Sequence, residues 1–266
     1  MIAAAASMEP RQLRDTFAAV TVVGLWLRFV LGMVIGACVT PLIMVWAFIG
    51  KRRPIHFDGA VCRATITAID HGAGQGPGRR LAGKAIVRLS GGGKPENSTA
   101  ADVMGLALRL QDGDGSTDLT NGTQDLIFGT FESFLSVAVT VGKVKVGDYL
   151  ANQYASVTPW RVKDLGVVHL RAMPPRDSVG TGADRVARLL ADIAAGTAVF
   201  TLEARRGDER IALATLTLDE HLPAVGKALR MSMWRNGRKF HPTGTRNGIR
   251  AVVYPFSQLA RGLRGG

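Results

Sequence analysis

Three residues near the C-terminal end of the sequence, Arg250, Tyr254 and Arg261, have side chains and spacings that suit metal chemistry. On a helix, residues four apart share a face, and a residue about two turns further along returns to that face. A guanidinium beside a phenol favours the phenolate, which is a hard ligand for ferric iron and one of the known axial ligands of haem. Arg261 can bind a carboxylate, such as a haem propionate, through paired hydrogen bonds. The same spacing also occurs by chance in basic helices, so an ordinary core tyrosine is the alternative.

His56 is a second candidate for chemistry, and it lies in the stretch KRRPIHFDGA that follows a long apolar segment. A neutral imidazole transfers protons well near neutral pH. Lys51, Arg52 and Arg53 form a basic collar, however, and His56 can equally be an interfacial residue of that collar. Arg88 interrupts a β-branched run, where a charge needs a partner or must face water.

The apolar segment that precedes His56 predicts a membrane helix. Residues 16–50 contain one charge, Arg28, and residues 29–50 are 22 uncharged residues. At about 1.5 Å per residue they form roughly 33 Å of helix, enough to cross a bilayer core. We expect one spanning helix near 28–50, with 10–27 as a helical extension or an interfacial segment and a possible kink at Pro41. A cleaved signal peptide ending near Cys38 is the alternative, but a second apolar run follows that position.

The positive charges on either side of this segment predict its orientation. Lys51, Arg52 and Arg53 outnumber Arg11 and Arg14, so the positive-inside rule places the C-terminal domain in the cytoplasm of a single-pass cell-membrane protein. The predicted organisation is an N-terminal tail at 1–15, the membrane segment at 16–50 and one domain at 51–266. The lipid bilayer is therefore an expected partner.

The pattern of the remaining sequence predicts an α+β domain built around an antiparallel sheet or barrel. Alternating or β-branched runs indicate strands at 61–70, 83–90 and 166–174, and a hairpin at 197–218. Residues 102–110 and 124–131 are short apolar units separated by a turn-rich stretch. Helical spacing indicates helices at 182–196 and from about 246, the second of which Pro255 should end or kink. Residues 71–80 are expected to be a glycine-rich loop.

Composition narrows the classes of function. The formal charge of +12 favours anionic partners, but the sequence has no nucleic-acid-binding motif, and we expect no nucleic-acid partner. Cys38 and Cys62, the only cysteines, provide neither a disulfide framework nor the spacing of a metal site. No phosphate-binding loop is present.

Five stretches of the sequence resemble motifs of the haem catalases, in the same order along the chain. The C-terminal stretch resembles the proximal motif R-x-x-x-Y-x-x-x-x-x-x-R, and residues 53–60 resemble the distal motif R-x-x-H-x-x-G-A. Residues 87–90 resemble V-R-F-S, and residues 101–109 resemble D-x-x-G-F-A-x-K/R. Residues 118–121 fall where catalases have D-L-V-G-N.

This resemblance implies a catalase-like antiparallel β-barrel core with peripheral helices, preceded here by one transmembrane helix, and haem b as the cofactor. It makes Tyr254 the axial iron ligand, with Arg250 as its charge partner. It makes His56 the distal acid/base, with Ser90 as its hydrogen-bond partner. The distal asparagine is displaced, because Asn121 falls one position early and Gly122 occupies the matching place. The residues that would hold the haem propionates are Arg53, Arg88 and Arg261.

The chain is much shorter than a full catalase and looks more like the small catalase-like haem proteins. We therefore expect a membrane-anchored, haem-dependent peroxidase that acts on organic or lipid hydroperoxides with an unknown electron donor, as a possible homo-oligomer or membrane complex. His56 lies six positions after Gly50. Fully extended, six residues reach only about 20 Å, which would keep the distal pocket close to the lipid. The alternatives are a non-catalytic catalase-fold binding or assembly subunit, and an enzyme that rearranges fatty-acid hydroperoxides.

Overall fold

The computed structural model describes residues 10–50, 59–94, 98–113, 122–132, 140–223 and 229–263, with side chains from Thr21 onward except at 50, 261 and 262. Its helices are α1 (Pro10–Gly50), α2 (Gln75–Leu81), α3 (Arg185–Ala195) and α4 (Gly244–Gly262). Its strands are β1 (Gly59–Ala68), β2 (Gly83–Gly91), β3 (Met104–Leu110), β4 (Gln124–Gly129), β5 (Tyr154–Ala155), β6 (Trp160–Val162), β7 (Gly166–Met173), β8 (Val199–Arg206), β9 (Glu209–His221) and β10 (Phe240–Pro242).

Eight of the strands form a closed antiparallel barrel. Going round it, the strand order is β1, β2, β3, β4, β5, β7, β8 and β9, and β9 pairs again with β1. Closure leaves no unpaired sheet edge within the barrel. The other two strands extend from one end of β7, because β6 pairs with residues 166–168 and β10 pairs with β6. The fold class expected from the sequence, an α+β fold with an antiparallel barrel core, is confirmed.

The barrel interior is filled by apolar side chains that alternate along each strand. Cys62 on β1, Val87 on β2, Leu108 on β3 and Leu126 on β4 belong to one buried cluster that continues round the barrel. Burial raises the pKa of the Cys62 thiol to about 12, so this cysteine behaves as a small apolar side chain. The alternate residues of the same strands face outward, and on β1 to β4 they form the floor of the candidate site.

Residues 71–80, which the sequence predicts to be a loop, form a short 3₁₀ turn (Gly72–Gly74) followed by α2. The glycines are required by the close approach of this turn and helix to β9, rather than by flexibility. A Cβ atom at Gly74 would lie 1.9 Å from the carbonyl oxygen of Ala212, and one at Gly78 would lie 2.1 Å from that of Leu213. Glycine's poor helix propensity is therefore overridden by tertiary packing.

α3 has the ends that its sequence predicts. The Asp184 side chain caps the first turn by accepting hydrogen bonds from the backbone N–H groups of Val186 and Ala187. Gly196 ends the helix with a φ of 70°, a left-handed conformation that favours glycine. The helix occupies the centre of the predicted range 182–196.

α1 is a single 41-residue helix that includes Pro41, and it packs parallel to α4. Over Thr21–Ile49 it is long and apolar enough to cross a membrane, and it is the one such helix among the residues that the structure describes. Glycines allow the two backbones to touch: a Cβ atom at Gly32 would lie 1.9 Å from the Thr245 carbonyl oxygen, and one at Gly248 would lie 2.0 Å from that of Phe29. Small residues at the contact between two helices are typical of closely packed helix pairs.

α4 continues through Pro255 to Gly262, so this proline does not end the helix, and the predicted alternative of a kink stays a prediction. A proline inside a helix has no N–H to offer to the carbonyl four residues earlier, which here is that of Ala251. The indole N–H of Trp234 donates to this carbonyl at 2.9 Å. The side chain of a separate segment thus supplies the hydrogen bond that the helix itself cannot make.

Candidate functional site

The outer face of strands β1 to β4 carries two of the residues singled out from the sequence, Arg88 and Ser90. Side chains alternate along a strand, so both share this face with Ile86. Arg88 is 4% exposed and Ser90 is 3% exposed. The strand register places four residues without large side chains next to one another across the face: Gly59, Ser90, Gly105 and Gly129. The ring of Phe131 packs over this row at Gly129, since a Cβ atom there would lie 3.1 Å from it.

Tyr254 of α4 packs against this face of the barrel. Its ring lies partly buried beside an apolar cluster that includes Val61 of β1 and Ile86 of β2. Leu229 and Met231, from the segment 229–235 between β9 and β10, complete the cluster. The side chain of Gln258, one turn beyond Tyr254, donates to the Met231 carbonyl at 2.8 Å. The phenol of α4 is therefore held on the side of the barrel where Arg88 and Ser90 lie.

A buried ion pair fastens the segment 229–235 to the barrel. The Nε and Nη2 atoms of Arg109 donate to the two carboxylate oxygens of Asp125 at 2.8 and 2.7 Å, and both residues are almost completely buried. Arg109 also donates to the Arg230 carbonyl, and the backbone N–H of Ser232 donates to Asp125 at 2.7 Å. The sequence places Arg109 in a motif but assigns no role to Arg109 or Asp125. The two residues become partners through the register of β3 and β4, which the sequence alone does not reveal.

Gly122, which occupies the place of the distal asparagine in the catalase-like alignment, lies in close contact with the Arg109 side chain. A Cβ atom there would be 2.5 Å from Cδ of Arg109. Because Asp125 holds the guanidinium, Arg109 cannot move aside without disturbing the ion pair. An asparagine side chain at position 122 is therefore incompatible with this arrangement.

The surroundings of Tyr254 are rich in positive charge. Arg250, one turn before Tyr254, donates to the Asn247 side chain at 3.3 Å, and Arg246 donates to the Val157 carbonyl at 3.3 Å. Burial, and then the charge of Arg250, lower the pKa of Arg246. Burial and the charge of Arg109 lower the pKa of Arg235, and Asp125 partly opposes them. Of these arginines, Arg250 lies one helical turn from Tyr254, and a cation in that position favours an anionic group beside it.

The remaining predicted site residues are outside the described part of the chain. Arg53, His56 and Asn121 lie in ranges that the structure does not describe, and Arg261 is described only as backbone of α4. His56 precedes Gly59 by three residues in the sequence, and Gly59 is the register partner of Ser90. The roles assigned to these four residues stay predictions.

Segment 229–235 is the functional element that the sequence did not indicate. It supplies Leu229 and Met231 to the cluster around Tyr254 and Trp234 to α4. Its apolar residues Leu229, Met231 and Met233 alternate with Arg230, Ser232 and Trp234, which is a strand-like period. The run LRMSMWR was too short to assign from this signal.

A concavity lies beside residues 22–29 of α1, and Arg88, Ser90 and Tyr254 do not line it. It is a cavity of about 390 Å³ with a largely apolar lining that includes Trp26, Phe29 and Trp234, and Arg161 and His241 stand at its border. Burial, followed by the charges of Arg161 and Lys239, lowers the pKa of His241. In the ranges that the structure describes, no group of three or more histidine, cysteine, aspartate or glutamate side chains could hold a metal ion.

Comparison with known proteins supports the fold. No family model and no curated protein matches the chain. Among solved structures, a fungal catalase is similar with a TM-score of 0.51 and 11% identity over 79% of this chain and 59% of that chain. A bacterial catalase is similar with a TM-score of 0.49 and 12% identity over 79% of this chain and 57% of that one. The chain thus spans about three fifths of the fungal catalase, and at this identity the likeness establishes a catalase-like fold alone.

Proposed function

We propose that the protein is a membrane-attached, haem-dependent peroxidase of catalase-like type that acts on organic or lipid hydroperoxides. The observation that carries the proposal is the packing of Tyr254 against the outer face of β1–β4, on which Arg88 and Ser90 are buried. A phenol, a guanidinium and a hydroxyl on one face are the groups that the catalase-like motifs assign to iron, propionate and the distal side.

Haem b fits the residues present on two counts. Arg88 and Arg250 give positive charge for its two carboxylates, and Tyr254 gives a hard oxygen ligand for ferric iron. When bound, the haem would supply the site at which a hydroperoxide O–O bond is cleaved.

In this proposal the protein side chains orient the reactants and move the proton. Reduction of a hydroperoxide, ROOH + 2e⁻ + 2H⁺ → ROH + H₂O, requires proton delivery to the leaving oxygen and an external two-electron donor. His56 is assigned the proton transfer and Ser90 its hydrogen-bond partner. Because position 122 is a glycine pressed against Arg109, we expect weaker disproportionation of hydrogen peroxide than peroxidase turnover.

Membrane attachment is assigned to α1, since it is long and apolar enough to enter a bilayer. The sequence predicts a single pass with a cytoplasmic domain and a short tether to His56. An apolar or lipid hydroperoxide is the substrate class that such a location favours. Equal activity on free hydrogen peroxide, with no preference for lipid hydroperoxides, would contradict this substrate assignment.

An absorption spectrum of the purified full-length protein tests the proposal directly. Protein produced with ample haem should show a Soret band and should reduce cumene hydroperoxide in the presence of a reducing co-substrate. Tyr254→Phe should largely abolish the Soret band. Tyr154→Phe is the matched control, because it removes a buried hydroxyl that donates to the Tyr149 carbonyl within the barrel, at 2.8 Å.

Two outcomes would overturn the proposal. If the protein contains no haem after expression with ample supply, the alternative of a non-catalytic binding or assembly subunit is favoured. If Tyr254→Phe and Tyr154→Phe retain the same haem spectrum, the ligand assignment is wrong. Product analysis separates a peroxidase, which forms the alcohol, from an enzyme that rearranges a fatty-acid hydroperoxide without consuming an electron donor.

A further inference from the structure

α1 presents apolar side chains to its surroundings on every side except one. The exposed fractions are 62% for Trp26, 75% for Leu42, 60% for Trp46 and 68% for Ile49. The buried stripe consists of small residues, namely Gly32, Gly36, Thr40 and Ala47. The exposed surface continues onto α4, where Phe256, Leu259 and Leu263 are also exposed. An apolar surface of this extent requires a cover.

The buried stripe fixes α1 to the rest of the protein. Its glycines lie in backbone contact with α4, as Gly32 does with Thr245 and Gly36 with Ile249. α4 is in turn fixed to the barrel side by the hydrogen bonds of Gln258 and Trp234 and by the packing of Tyr254. α1, α4 and the barrel therefore form successive layers.

This layering is incompatible with a bilayer wrapped around α1. α4 has 19 residues and runs alongside α1 from Phe29 onward. At about 1.5 Å per residue it is roughly 28 Å long, close to the roughly 30 Å of a hydrocarbon core. A bilayer crossed by residues 28–50 would coincide with α4 and with the barrel strands behind it. Charged side chains of α4 such as Arg246 and Arg250 would then lie at the depth of the hydrocarbon core, where a charge is unfavourable.

We infer that α1 lies along the membrane surface, immersed in one leaflet, with both of its ends on the same side of the membrane as the barrel. This orientation puts the exposed apolar arc into lipid, α4 at the headgroup level and the barrel in water. The inference rests on the membrane attachment proposed above and replaces a crossing with an in-plane arrangement.

The exposed apolar surface of α1 is better suited to contact with lipid than to contact with a protein partner. A protein partner covers one stripe of a helix, whereas lipid covers the whole exposed arc, and Arg28 is the only charge between residues 16 and 50. Trp26 and Trp46 lie near opposite ends of the apolar run and are both exposed, as interfacial aromatics are. Both flanks are basic in sequence, with Arg11 and Arg14 on one side and residues 51–53 on the other. An anionic leaflet therefore attracts both ends of the helix.

Cysteine labelling of the full-length protein in sealed vesicles of phosphatidylglycerol and phosphatidylcholine tests the inference. In a Cys38→Ser background, a single cysteine is introduced as Ser7→Cys, Lys51→Cys or Asp208→Cys. Asp208 is fully exposed in the turn between β8 and β9 and marks the side of the barrel. Buried Cys62, with its pKa raised to about 12, stays unlabelled.

The in-plane arrangement predicts that a membrane-impermeant maleimide labels all three variants to the same extent from the barrel side. Protection of Ser7→Cys together with labelling of Lys51→Cys and Asp208→Cys would show a crossing and overturn the inference. Flotation with the vesicles should be lost in the double variant Val39→Glu/Leu42→Glu and kept in Asp208→Cys. Flotation that survives the double variant would also overturn it. The Soret band, measured on the same samples, reports separately on the proposed haem chemistry.

Discussion

The hydrogen bond from Trp234 to α4 allows a sharp test of how this helix is built. Trp234→Phe removes the indole N–H that donates to the Ala251 carbonyl at 2.9 Å, and Pro255 leaves this carbonyl without its usual helical donor. The phenylalanine can keep the edge-to-face contact with Phe29, whose ring centroid lies 6.2 Å from that of Trp234. The main loss is therefore the hydrogen bond.

The size of the effect follows from burial. Ala251 is 2% exposed but Trp234 is 54% exposed, so water can partly replace the donor once the indole is removed. A buried carbonyl left wholly without a partner costs about 1–3 kcal/mol, and we expect a loss at the lower end, about 1 kcal/mol. For a protein of this size, that corresponds to a fall in the melting temperature of roughly 2–4 °C.

A double-mutant cycle with Pro255→Ala gives the decisive comparison. Alanine at position 255 restores a backbone N–H that can donate to the Ala251 carbonyl, so Trp234→Phe should cost less than about 0.5 kcal/mol in that background. The measurement is urea unfolding of the full-length protein in detergent, followed by circular dichroism. If Trp234→Phe costs the same free energy in both backgrounds, the indole is not the substitute donor and the reasoning is refuted.

The structure also indicates how three other substitutions should change the stability of the protein. Asp125→Ala leaves the Arg109 guanidinium buried without its carboxylate and should lower the free energy of unfolding by about 3–5 kcal/mol. Glu209→Ala, in the exposed pair with Arg206, should lower it by at most about 1 kcal/mol. Equal urea midpoints for the two variants would contradict the importance of the buried pair. Gly32→Ala should lower the melting temperature because its Cβ would meet the Thr245 carbonyl, whereas Gly24→Ala, with no atom within 4 Å, should be neutral or stabilising. Burial tends to raise the pKa of Asp192, but hydrogen bonds from Thr197, Ser178 and backbone N–H groups give a net lowering. Its carboxylate thus contributes stability above the unfolded-state pKa of about 3.9, which is lost as the pH falls through the lower folded-state pKa. Asp192→Asn should flatten the dependence of unfolding free energy on pH below about pH 4, and an unchanged acid limb would show that this carboxylate is not responsible.

The long strands were predictable because their side chains alternate over many residues. β1, β2, β7 and the hairpin of β8 and β9 lie within two or three residues of the predicted ranges. β5, β6 and β10 contain two or three residues each, and a run that short has no period to detect. Closure of the barrel through β7 and β8 depends on long-range register, which local patterns do not contain.

The positions of the candidate-site residues could be predicted where they depend only on the spacing of those residues in the sequence. Arg88 and Ser90 are two apart on a strand, so they share a face whichever residues surround them, and Tyr254 lies on the predicted helix. The clamp of Arg109 and Asp125 was not predictable, since the two residues meet only through the pairing of β3 with β4. The continuation of α4 through Pro255 depends on a tryptophan outside the helix, which helix propensity cannot anticipate.

The pairing of the first helix with the last one imposes an order on biosynthesis. α1 is complete at Gly50, but its packing partner α4 begins only at Gly244. At translation rates of roughly 5–20 residues per second, α1 waits roughly 10–40 seconds before that partner is made. During this interval the small-residue stripe is also uncovered, and α1 is a largely apolar nascent segment while the barrel is still incomplete. We therefore expect that α1 needs a cover during synthesis, which a membrane or a chaperone could supply.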